Sequence, residues 1–471
     1  MEDDYSIFPP DSDLDFSFTS TTTDRTFTTS SSARTSLARS SLTLSFNESR
    51  LSAAAAALNL RPYHRSDSHW SAIRAATTLS SDGHLHLRHL KLIRHLGTGN
   101  LGRVFLCHLR DNDHASFALK VVDKEALSNK KLLQVQTEAE ILASLDHPFL
   151  PTLYARLDVS HYTCLLIDYC PAGDLHSLLR KQPGSRFSVA AARFFAAEVL
   201  VALEYLHALG IVYRDLKPEN VLLREDGHVM LSDFDLCFKS DVVPTFHTWT
   251  RPGPQATGSC FGWRTSPEFE EEIVGEFVAE PTSAFSKSCV GTHEYLAPEL
   301  VTGGGHGNGV DWWAFGVFVY ELLHGTTPFK GVNKEGTLRN IASSEGVKFR
   351  GGGEEEGGMG EARDLIERLL VKDPGRRLGW EKGATEIKRH PFFEGIKWPL
   401  IRTYRVPEVY GMMRKGRAQV SHVREVTERI RRRGWWNWRK VMRKRLIKNG
   451  SCSKSHSNTN YYSYSSKKKT G

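Results

Sequence analysis

A glycine-rich run could hold the phosphates of a nucleotide. The residues Gly97-Thr98-Gly99-Asn100-Leu101-Gly102 have the G-x-G-x-x-G spacing, in which backbone amides can approach phosphate oxygens closely. On its own this run is weak evidence, because it can also open a dinucleotide-binding helix. The following residues, 104–109, are apolar and strand-like, which favours a hairpin that covers phosphates over that helix.

A lysine in an apolar strand needs an anionic partner. Lys120 lies in the run Phe117-Ala118-Leu119-Lys120-Val121-Val122, where an unpaired ammonium would be costly to bury. The helical segment 132–145 supplies Glu138. A Lys120–Glu138 ion pair that also binds the α- and β-phosphates would satisfy both charges.

The elements that must position these residues change along the chain. Short apolar strands at residues 90–96, 104–109 and 117–122 precede helical stretches such as 132–145 and 190–209. Strands first and helices later predict a two-part α+β domain, in which order begins near residue 87.

A dense polar cluster stands in the middle of the chain. It reads Tyr213-Arg214-Asp215-Leu216-Lys217-Pro218-Glu219-Asn220, and Asp233-Phe234-Asp235 follows 13 residues after Asn220. Together with the glycine-rich run, Lys120 and residues 289–299, this cluster resembles the eukaryotic protein kinases. The resemblance covers roughly residues 90–393, about two thirds of the chain. It implies a bilobal fold, with a β-rich N-lobe at 87–167 and a mainly helical C-lobe at 168–393.

The resemblance implies roles in phosphoryl transfer from ATP to a hydroxyl group. Asp215 would accept the proton of the substrate hydroxyl, and Lys217 would neutralise the transferring γ-phosphate. Asn220 and Asp233 are hard oxygen ligands suited to Mg²⁺, with Mn²⁺ as the alternative. The implied catalytic set is Asp215, Lys217, Lys120 and Glu138.

The resemblance also implies an ATP site between the lobes. Val104, Ala118 and Leu222 would sandwich the adenine, residues 168–170 would read its edge through the backbone, and Ile167 would be the gatekeeper. Asp174 would reach the ribose or a basic substrate side chain. The full implied set is Gly97, Thr98, Gly99, Asn100, Leu101, Gly102, Val104, Ala118, Lys120, Asp168, Cys170, Asp174 and Leu222.

Two further residues resemble structural partners of that family. Glu299 is expected to pair with a buried arginine, Arg377, and Asp311 to brace the backbone of the catalytic loop. For both we favour a scaffold role over chemistry.

Several features narrow the family. Residues 146–150, the Tyr-Arg-Asp form of the catalytic loop, residues 291–295 and residues 392–398 resemble the AGC group, which implies Ser/Thr specificity. Asp235 in place of the usual glycine and the long span from Asp233 to Glu299, 299 − 233 + 1 = 67 residues, are similar to the plant AGC VIII kinases. Residues 21–27 and 40–46 resemble their WAG/PINOID type. That resemblance implies PIN-type auxin efflux carriers as substrates and a role in polar auxin transport.

The long activation segment carries an insertion at about 240–284. It is acidic, which argues against membrane binding through this insertion. Ser288 matches the phosphorylation site of the group, where a phosphate could pair with Arg214, and Ser286 is the runner-up. Asp235 either biases its motif toward the metal-binding state or is a tolerated variant, and we favour the variant.

Three acids predict a preference for basic substrates. Glu219, Asp174 and Glu321 match positions that bind arginine side chains of the substrate in AGC kinases. Each could instead be a solvated surface acid, but together they favour basic-directed Ser/Thr substrates.

The net charge of +8 is unevenly distributed. From residue 414 onward there are 18 Lys/Arg and two Glu, so the net charge of this segment is 18 − 2 = +16. Residues 1–413 therefore carry a net charge of 8 − 16 = −8. Within this basic tail, residues 429–448 form a Trp-containing amphipathic pattern typical of an anionic membrane surface or a calmodulin-like partner. A nuclear-import signal and a solvated tail are the alternatives. Residues 394–413 resemble an AGC-type extension, and no terminal Phe-x-x-Phe follows it.

The composition limits which classes of protein the chain can belong to. Residues 1–86 are rich in Ser and Thr and predict a disordered tail. The longest apolar runs, such as 312–320, are too short to span a bilayer, and seven scattered cysteines favour reduced thiols. The start has no apolar core and neither end has a lipidation signal, so we expect neither secretion nor lipid anchoring.

We expect a cytoplasmic monomer, peripheral at the plasma membrane, with the nucleus as the alternative and no nucleic-acid partner. The rival to an active enzyme is a catalytically silent scaffold of the same fold.

Overall fold

The computed structural model describes residues 67–78, 80, 82–251, 272–349 and 357–412. The predicted tails before residue 67 and after residue 412, with the amphipathic segment 429–448, lie outside the described residues. Within the described ranges, no helix combines the length and the apolar content that crossing a membrane requires.

A five-stranded antiparallel sheet forms the N-terminal half of the fold. Its spatial order is β1-β2-β3-β5-β4, so that β3 lies in the centre. One long helix, α2, packs beside the sheet and carries buried Val135, Glu138 and Ile141. The bounds are β1 Leu90–Thr98, β2 Arg103–Leu109, β3 Asn112–Asp123, α2 Asn129–Ser144, β4 Leu153–Asp158 and β5 Tyr162–Asp168.

A helix that the sequence did not predict, α1 (Ser68–Thr78), precedes the sheet. Ala72 and Ile73 are buried in the same apolar cluster as Phe117 of β3 and Tyr154 of β4. The structure therefore differs from the expected disordered tail through residue 86. The physical reason is tertiary, because a short helix with two buried apolar residues gains its stability from the sheet on which it packs.

The C-terminal half is built mainly from helices around one apolar core. Helix α6 (Gly309–His324) lies at its centre, and its residues from Gly309 to Leu323 are buried. A helix that is apolar on all sides must be surrounded by other elements, and α4 (Val189–Ala208) and α8 (Met359–Leu369) pack against it. The remaining helices are α3 Leu175–Lys181, α5 Pro298–Thr302, α7 Lys334–Ala342 and α9 Gly383–Lys388.

Short strand pairs hold the loops of this half in place. They are β6 (Ile211–Val212) with β9 (Phe238–Lys239), and β7 (Val221–Leu223) with β8 (Val229–Leu231). Across both halves, the 3-10 segments are Leu87–His89, Lys124–Ala126, Pro183–Ser185, Pro218–Asn220, His293–Tyr295, Pro374–Arg376, Pro391–Phe393 and Trp398–Thr403. The predicted bilobal α+β fold, with a β-rich first lobe and a helical second lobe, is confirmed.

The acidic insertion contains an antiparallel pair of strands, β10 (Thr245–Arg251) and β11 (Glu272–Val278). Their ladder begins with Thr245 opposite Val278, so the chain leaves and re-enters the C-lobe at neighbouring points. Phe246 and Phe277 are the next facing pair, and both side chains are exposed. The insertion therefore projects from the C-lobe as a hairpin.

Candidate active site

A buried lysine and a buried glutamate join β3 to α2. Lys120 Nζ donates to both carboxylate oxygens of Glu138, at 2.6 and 2.7 Å, and lies 3.4 Å from Oδ1 of Asp233. Burial lowers the pKa of Lys120, but the carboxylates of Glu138 and Asp233 outweigh it and raise that pKa. The ammonium therefore stays charged and points toward the cleft between the lobes, where phosphates would meet it.

The catalytic loop holds Asp215 in a network of three donors. Lys217 Nζ donates to Asp215 Oδ2 at 2.7 Å, and Asn220 Nδ2 donates to the same oxygen at 2.8 Å. Thr292 donates from Oγ1 to Asp215 Oδ1 at 3.1 Å and accepts from Lys217 at 2.9 Å. The sequence analysis gave Thr292 no role. The available signal was its place in the motif at 289–299, which brings the end of the activation segment back to this loop.

Asp311 of α6 fixes the backbone of the same loop. Its Oδ2 accepts from the amide of Tyr213 at 2.7 Å, and its Oδ1 accepts from the amide of Arg214 at 2.8 Å. Arg214 has a left-handed φ of 66°, which a non-glycine residue adopts only when its surroundings enforce it. The expected brace is therefore present in the structure, because Asp311 binds the amides of the two residues that precede Asp215.

The residues expected to bind Mg²⁺ present suitable oxygen atoms. The amide nitrogen of Asn220 is used within the loop, so its carbonyl oxygen is the atom that could bind a cation. The side chain of Asp233 is 35% exposed, which leaves its carboxylate accessible from the cleft. Mg²⁺ in nucleotide sites is commonly bound by one or two protein oxygens together with phosphates, and this pair fits that pattern. A bound Mg²⁺ would neutralise phosphate charge at this position.

The glycine-rich run forms the turn between β1 and β2, as the hairpin interpretation requires. The two strands pair up to Thr98 opposite Arg103, and the amide of Gly99 donates to the carbonyl of Gly102 at 2.9 Å. A β-carbon on Gly102 would lie 2.4 Å from the carbonyl oxygen of Val121, so only glycine fits there. Leu101 is buried at the tip of the turn. Its side chain packs on Val122 and Val135, while its backbone remains on the loop.

The residues expected around adenine come from both lobes. Ala118 pairs with Ile167 across β3 and β5, and Leu222 of the C-lobe forms a bridge to Asp174. Val104 of β2 lies opposite Lys120 of β3. The predicted set thus combines residues of β2 and β3 in the N-lobe with Leu222 of the C-lobe.

The hinge, residues 168–170, is held in place by contacts of its side chains with neighbouring strands. Asp168 accepts from the amide of Thr152 at 2.8 Å and from the hydroxyl of Tyr154 at 3.0 Å. Cys170 is 3.9 Å from the sulfur of Met230, and burial raises the pKa of its thiol to about 12. Met230, to which the sequence motifs assigned no role, is buried and lies opposite Leu222 in the β7–β8 ladder.

Asp235 occupies the position where glycine is usual, without left-handed backbone strain. Among the described non-glycine residues, those with positive φ are Ser185, Arg214 and Asp233, and Asp235 is not one of them. Burial and the neighbouring charge of Asp233 raise the pKa of Asp235 to about 6. Its carboxylate lies 3.5 Å from Nδ2 of Asn100, so it links the metal-binding motif to the glycine-rich turn.

The activation segment places two serines on the arginine of the catalytic loop. Arg214 Nη1 donates to Oγ of Ser288 at 2.6 Å and to Oγ of Ser286 at 3.3 Å. Arg214 Nε donates to the carbonyl of Leu236, which orients the guanidinium toward the segment. Both candidate phosphorylation sites therefore lie within reach of this cation.

The three acids expected to bind basic substrates lie around helix α3. Asp174 caps the helix by accepting from the amide and the hydroxyl of Ser177, at 2.7 and 2.8 Å. Glu219 lies 3.0 Å from Nδ1 of His176 on that helix, and its side chain is 48% exposed. Glu321 is buried and accepts from Arg180 at 3.1 Å and Tyr295 at 2.6 Å. The structure brings the three acids to one region, and Glu219 is the most accessible.

A buried ion pair holds the end of the activation segment to the C-lobe. Arg377 is 2% exposed and donates through both terminal nitrogens to Glu299, at 2.7 and 2.9 Å. It also donates to the carbonyls of Gly309 and Val371. This two-pronged geometry gives the expected scaffold contact.

Taken together, the cleft contains a fixed carboxylate with an adjacent ammonium, oxygen ligands for a cation, a buried ammonium for phosphates and a turn of backbone amides. Such an arrangement stabilises charge on a transferring phosphoryl group and aligns a hydroxyl for attack.

Comparison with known proteins agrees with this chemistry. The family profile described as "Protein kinase domain" matches residues 90–249 and 274–393, and the interruption falls within the β10–β11 hairpin. The chain is 65% identical to serine/threonine-protein kinase WAG1 of Arabidopsis thaliana, over 99% of this chain and 100% of that protein. Identity to WAG2 of the same plant is 62%, over 98% of each chain. Identity to protein kinase PINOID of Oryza sativa subsp. japonica is 48%, over 80% of this chain and 83% of that protein.

Proposed function

The chain belongs to the protein kinase family and is a serine/threonine protein kinase of the AGC VIII WAG/PINOID type, and from this identity we propose that it phosphorylates basic-directed sites in PIN-type auxin efflux carriers. Through these substrates it would regulate polar auxin transport and auxin signalling. Similarity to kinases named WAG and PINOID supports the choice of substrate, and the acids around α3 support the preference for basic sequences.

The observation that carries the basic-directed preference is the exposed carboxylate of Glu219 next to the catalytic loop. Asp174 and Glu321 add negative charge around the same helix, although both already accept hydrogen bonds from neighbouring side chains. An arginine upstream of the phosphorylated serine would therefore pair first with Glu219, since this carboxylate is the most accessible of the three.

The test is phosphate transfer by the purified full chain. The substrates are a soluble loop of a PIN-type carrier, chosen to contain serines preceded by arginine, and the same loop with those arginines replaced by alanine. We expect Mg²⁺-dependent labelling of the native loop, loss with Asp215→Asn, and weak labelling of the arginine-free loop. Labelling of an unrelated Arg-rich peptide but not of the carrier loop would refute the proposed substrate and leave the basic preference standing.

Glu219→Gln provides a finer test of substrate recognition. We expect KM for an Arg-containing peptide to rise about fivefold with kcat nearly unchanged, because a partly exposed ion pair is worth about 1 kcal/mol. Glu335→Gln is the matched control, since Glu335 is exposed on α7. Equal KM values for the two variants would contradict the assignment of Glu219.

Phosphorylation of Ser288 is proposed as the activating modification. A phosphate there would face Arg214, which already donates to the unmodified hydroxyl. Mass spectrometry of the active enzyme should find phosphate on Ser288, and Ser288→Ala should lower activity more than Ser286→Ala. Whether the catalytically dead Asp215→Asn chain carries the phosphate distinguishes self-modification from an upstream kinase.

We further propose a monomeric cytoplasmic enzyme that binds the plasma membrane through residues 429–448. The ten Lys/Arg of this segment support attraction to anionic lipid, at about 1 kcal/mol per charge near the surface. Sedimentation with phosphatidylserine vesicles, with and without Ca²⁺-calmodulin, tests the segment and its calmodulin alternative. If the full chain does not sediment with the vesicles at any salt concentration and accumulates in the nucleus, the import signal is favoured instead.

A further inference from the structure

We propose that Glu280, which lies where the insertion re-enters the C-lobe, is a positioning residue for phosphoryl transfer. Its carboxylate keeps His207 in the imidazolium form, and the imidazolium in turn holds Asp311 in place under the catalytic loop. The inference goes beyond the proposed function because it concerns transfer itself and does not depend on which protein is the substrate.

The contacts form a continuous path from the insertion to the catalytic aspartate. Glu280 Oε2 lies 2.7 Å from Nδ1 of His207, and Nε2 of the same ring lies 2.9 Å from Oδ2 of Asp311. Asp311 accepts from the amides of Tyr213 and Arg214, and Asp215 is the next residue. A movement of Glu280 would therefore reach the catalytic loop through two side chains.

The site is built to receive a carboxylate. Glu280 is 6% exposed and His207 and Asp311 are fully buried, so water cannot replace their contacts. Asn308 Nδ2 donates to Glu280 Oε2 at 2.9 Å. On the other side, a β-carbon on Gly383 would lie 1.7 Å from Glu280 Oε1, so the missing side chain at this glycine makes the room that the carboxylate fills.

The charges explain why a second carboxylate matters. Both ring nitrogens of His207 face acceptor oxygens, and only an imidazolium can donate from both. Burial lowers the pKa of His207, but Glu280 and Asp311 outweigh it and raise that pKa to about 10. Among the described residues, the amide of Asn308 and the ring of Trp312 also contact this network, and both are neutral. Without the charge of Glu280, the imidazolium would keep only one counter-ion.

A second carboxylate of the insertion contacts the C-lobe at another place. Glu276 of β11 forms an ion pair with Arg389, next to α9. Glu276→Gln is therefore a matched control, because it removes one carboxylate of the same hairpin without changing the charge beside His207.

The decisive variant is Glu280→Gln, which keeps the shape and can still hydrogen-bond to a neutral imidazole. Hydrolysis of ATP without a protein substrate is measured in the full chain from pH 6 to 8. We expect kcat to fall about fivefold at pH 8 and about twofold at pH 6 relative to wild type, with KM for ATP unchanged. The loss shrinks at low pH because protonation of His207 restores its charged hydrogen bond to Asp311.

The outcomes separate positioning from mere stability. A ratio of variant to wild-type kcat that is the same at every pH, or equal losses in Glu280→Gln and Glu276→Gln, would overturn the proposal. If Glu280→Gln does not fold, the wild-type chain still decides, since the ¹⁵N shifts of the His207 ring at pH 8, assigned with His207→Gln, must report an imidazolium. A neutral ring there would overturn the proposal. Because no protein substrate is present, failure of the proposed carrier substrate leaves this test unaffected.

Discussion

Helix α1 should detach from the N-lobe when Ile73 is replaced by alanine. Ile73 is 4% exposed, and complete burial of such a side chain contributes about 1.5 to 3 kcal/mol. The helix has 11 residues, and a helix of this length is marginal in water without tertiary contacts. A loss of about 1.5 to 3 kcal/mol therefore corresponds to roughly 10- to 150-fold less protection of its amides against hydrogen exchange.

The assay is hydrogen exchange of peptides from residues 68–78 in the full chain, with Arg74→Ala as the control. Arg74 lies on the same helix but is exposed, so its replacement should change protection by no more than about twofold. We expect KM for ATP to rise in Ile73→Ala, because Asp67 before the helix and Asp168 of the hinge both accept from Tyr154. Equal protection in the two variants would refute the claim that packing on the sheet stabilises α1.

Three further outcomes are expected. Glu299→Gln should lower the free energy of unfolding by about 3 to 5 kcal/mol in urea, since it leaves buried Arg377 without its counter-ion, and a shift below 1 kcal/mol would contradict this. Thr292→Ala should reduce kcat about tenfold without changing the melting temperature, because Asp215 and Lys217 lose their shared contact. Burial raises the pKa of Asp67, but hydrogen bonds from His69 and Tyr154 outweigh it and lower that pKa to about 2. The stabilisation that Asp67 contributes is therefore complete above about pH 4 and disappears toward pH 2. Amide exchange of α1, corrected for intrinsic rates, should accelerate as the pH falls from 4 to 2 and should not change between pH 6 and 8.

The predicted fold follows from patterns that are local in the sequence. Apolar runs place β1 and β2 to within two residues and identify the second half of β3, and the helical stretch predicted at 190–209 is α4, Val189–Ala208. Lys120 and Glu138 could be paired from the sequence because a lone cation in a buried strand requires an acid on the next helix. Such inferences succeed when the physical requirement of one residue is met nearby in the chain.

The contacts that the sequence analysis missed depend on distant residues. Helix α1 has two buried apolar side chains, and the apolar cluster that they join includes residues of β2, β3 and β4. Glu280 stands in a Pro- and Ser-containing stretch, and its partner His207 is 73 residues away. The sequence around α1 does not show that its apolar side chains are buried, and the sequence around Glu280 does not distinguish a buried carboxylate from a solvated one. In both cases burial is decided by which elements pack together.

The hairpin of the insertion has a consequence for length variation. Because Thr245 and Val278 face each other at its base, the distance that any intervening chain must close is fixed by one ladder rung. The entropy of closing a loop rises slowly, by about 0.6 kcal/mol for each doubling of its length. Relatives should therefore gain or lose many residues beyond this rung without disturbing the C-lobe, and a folded reporter domain with adjacent termini could be grafted there.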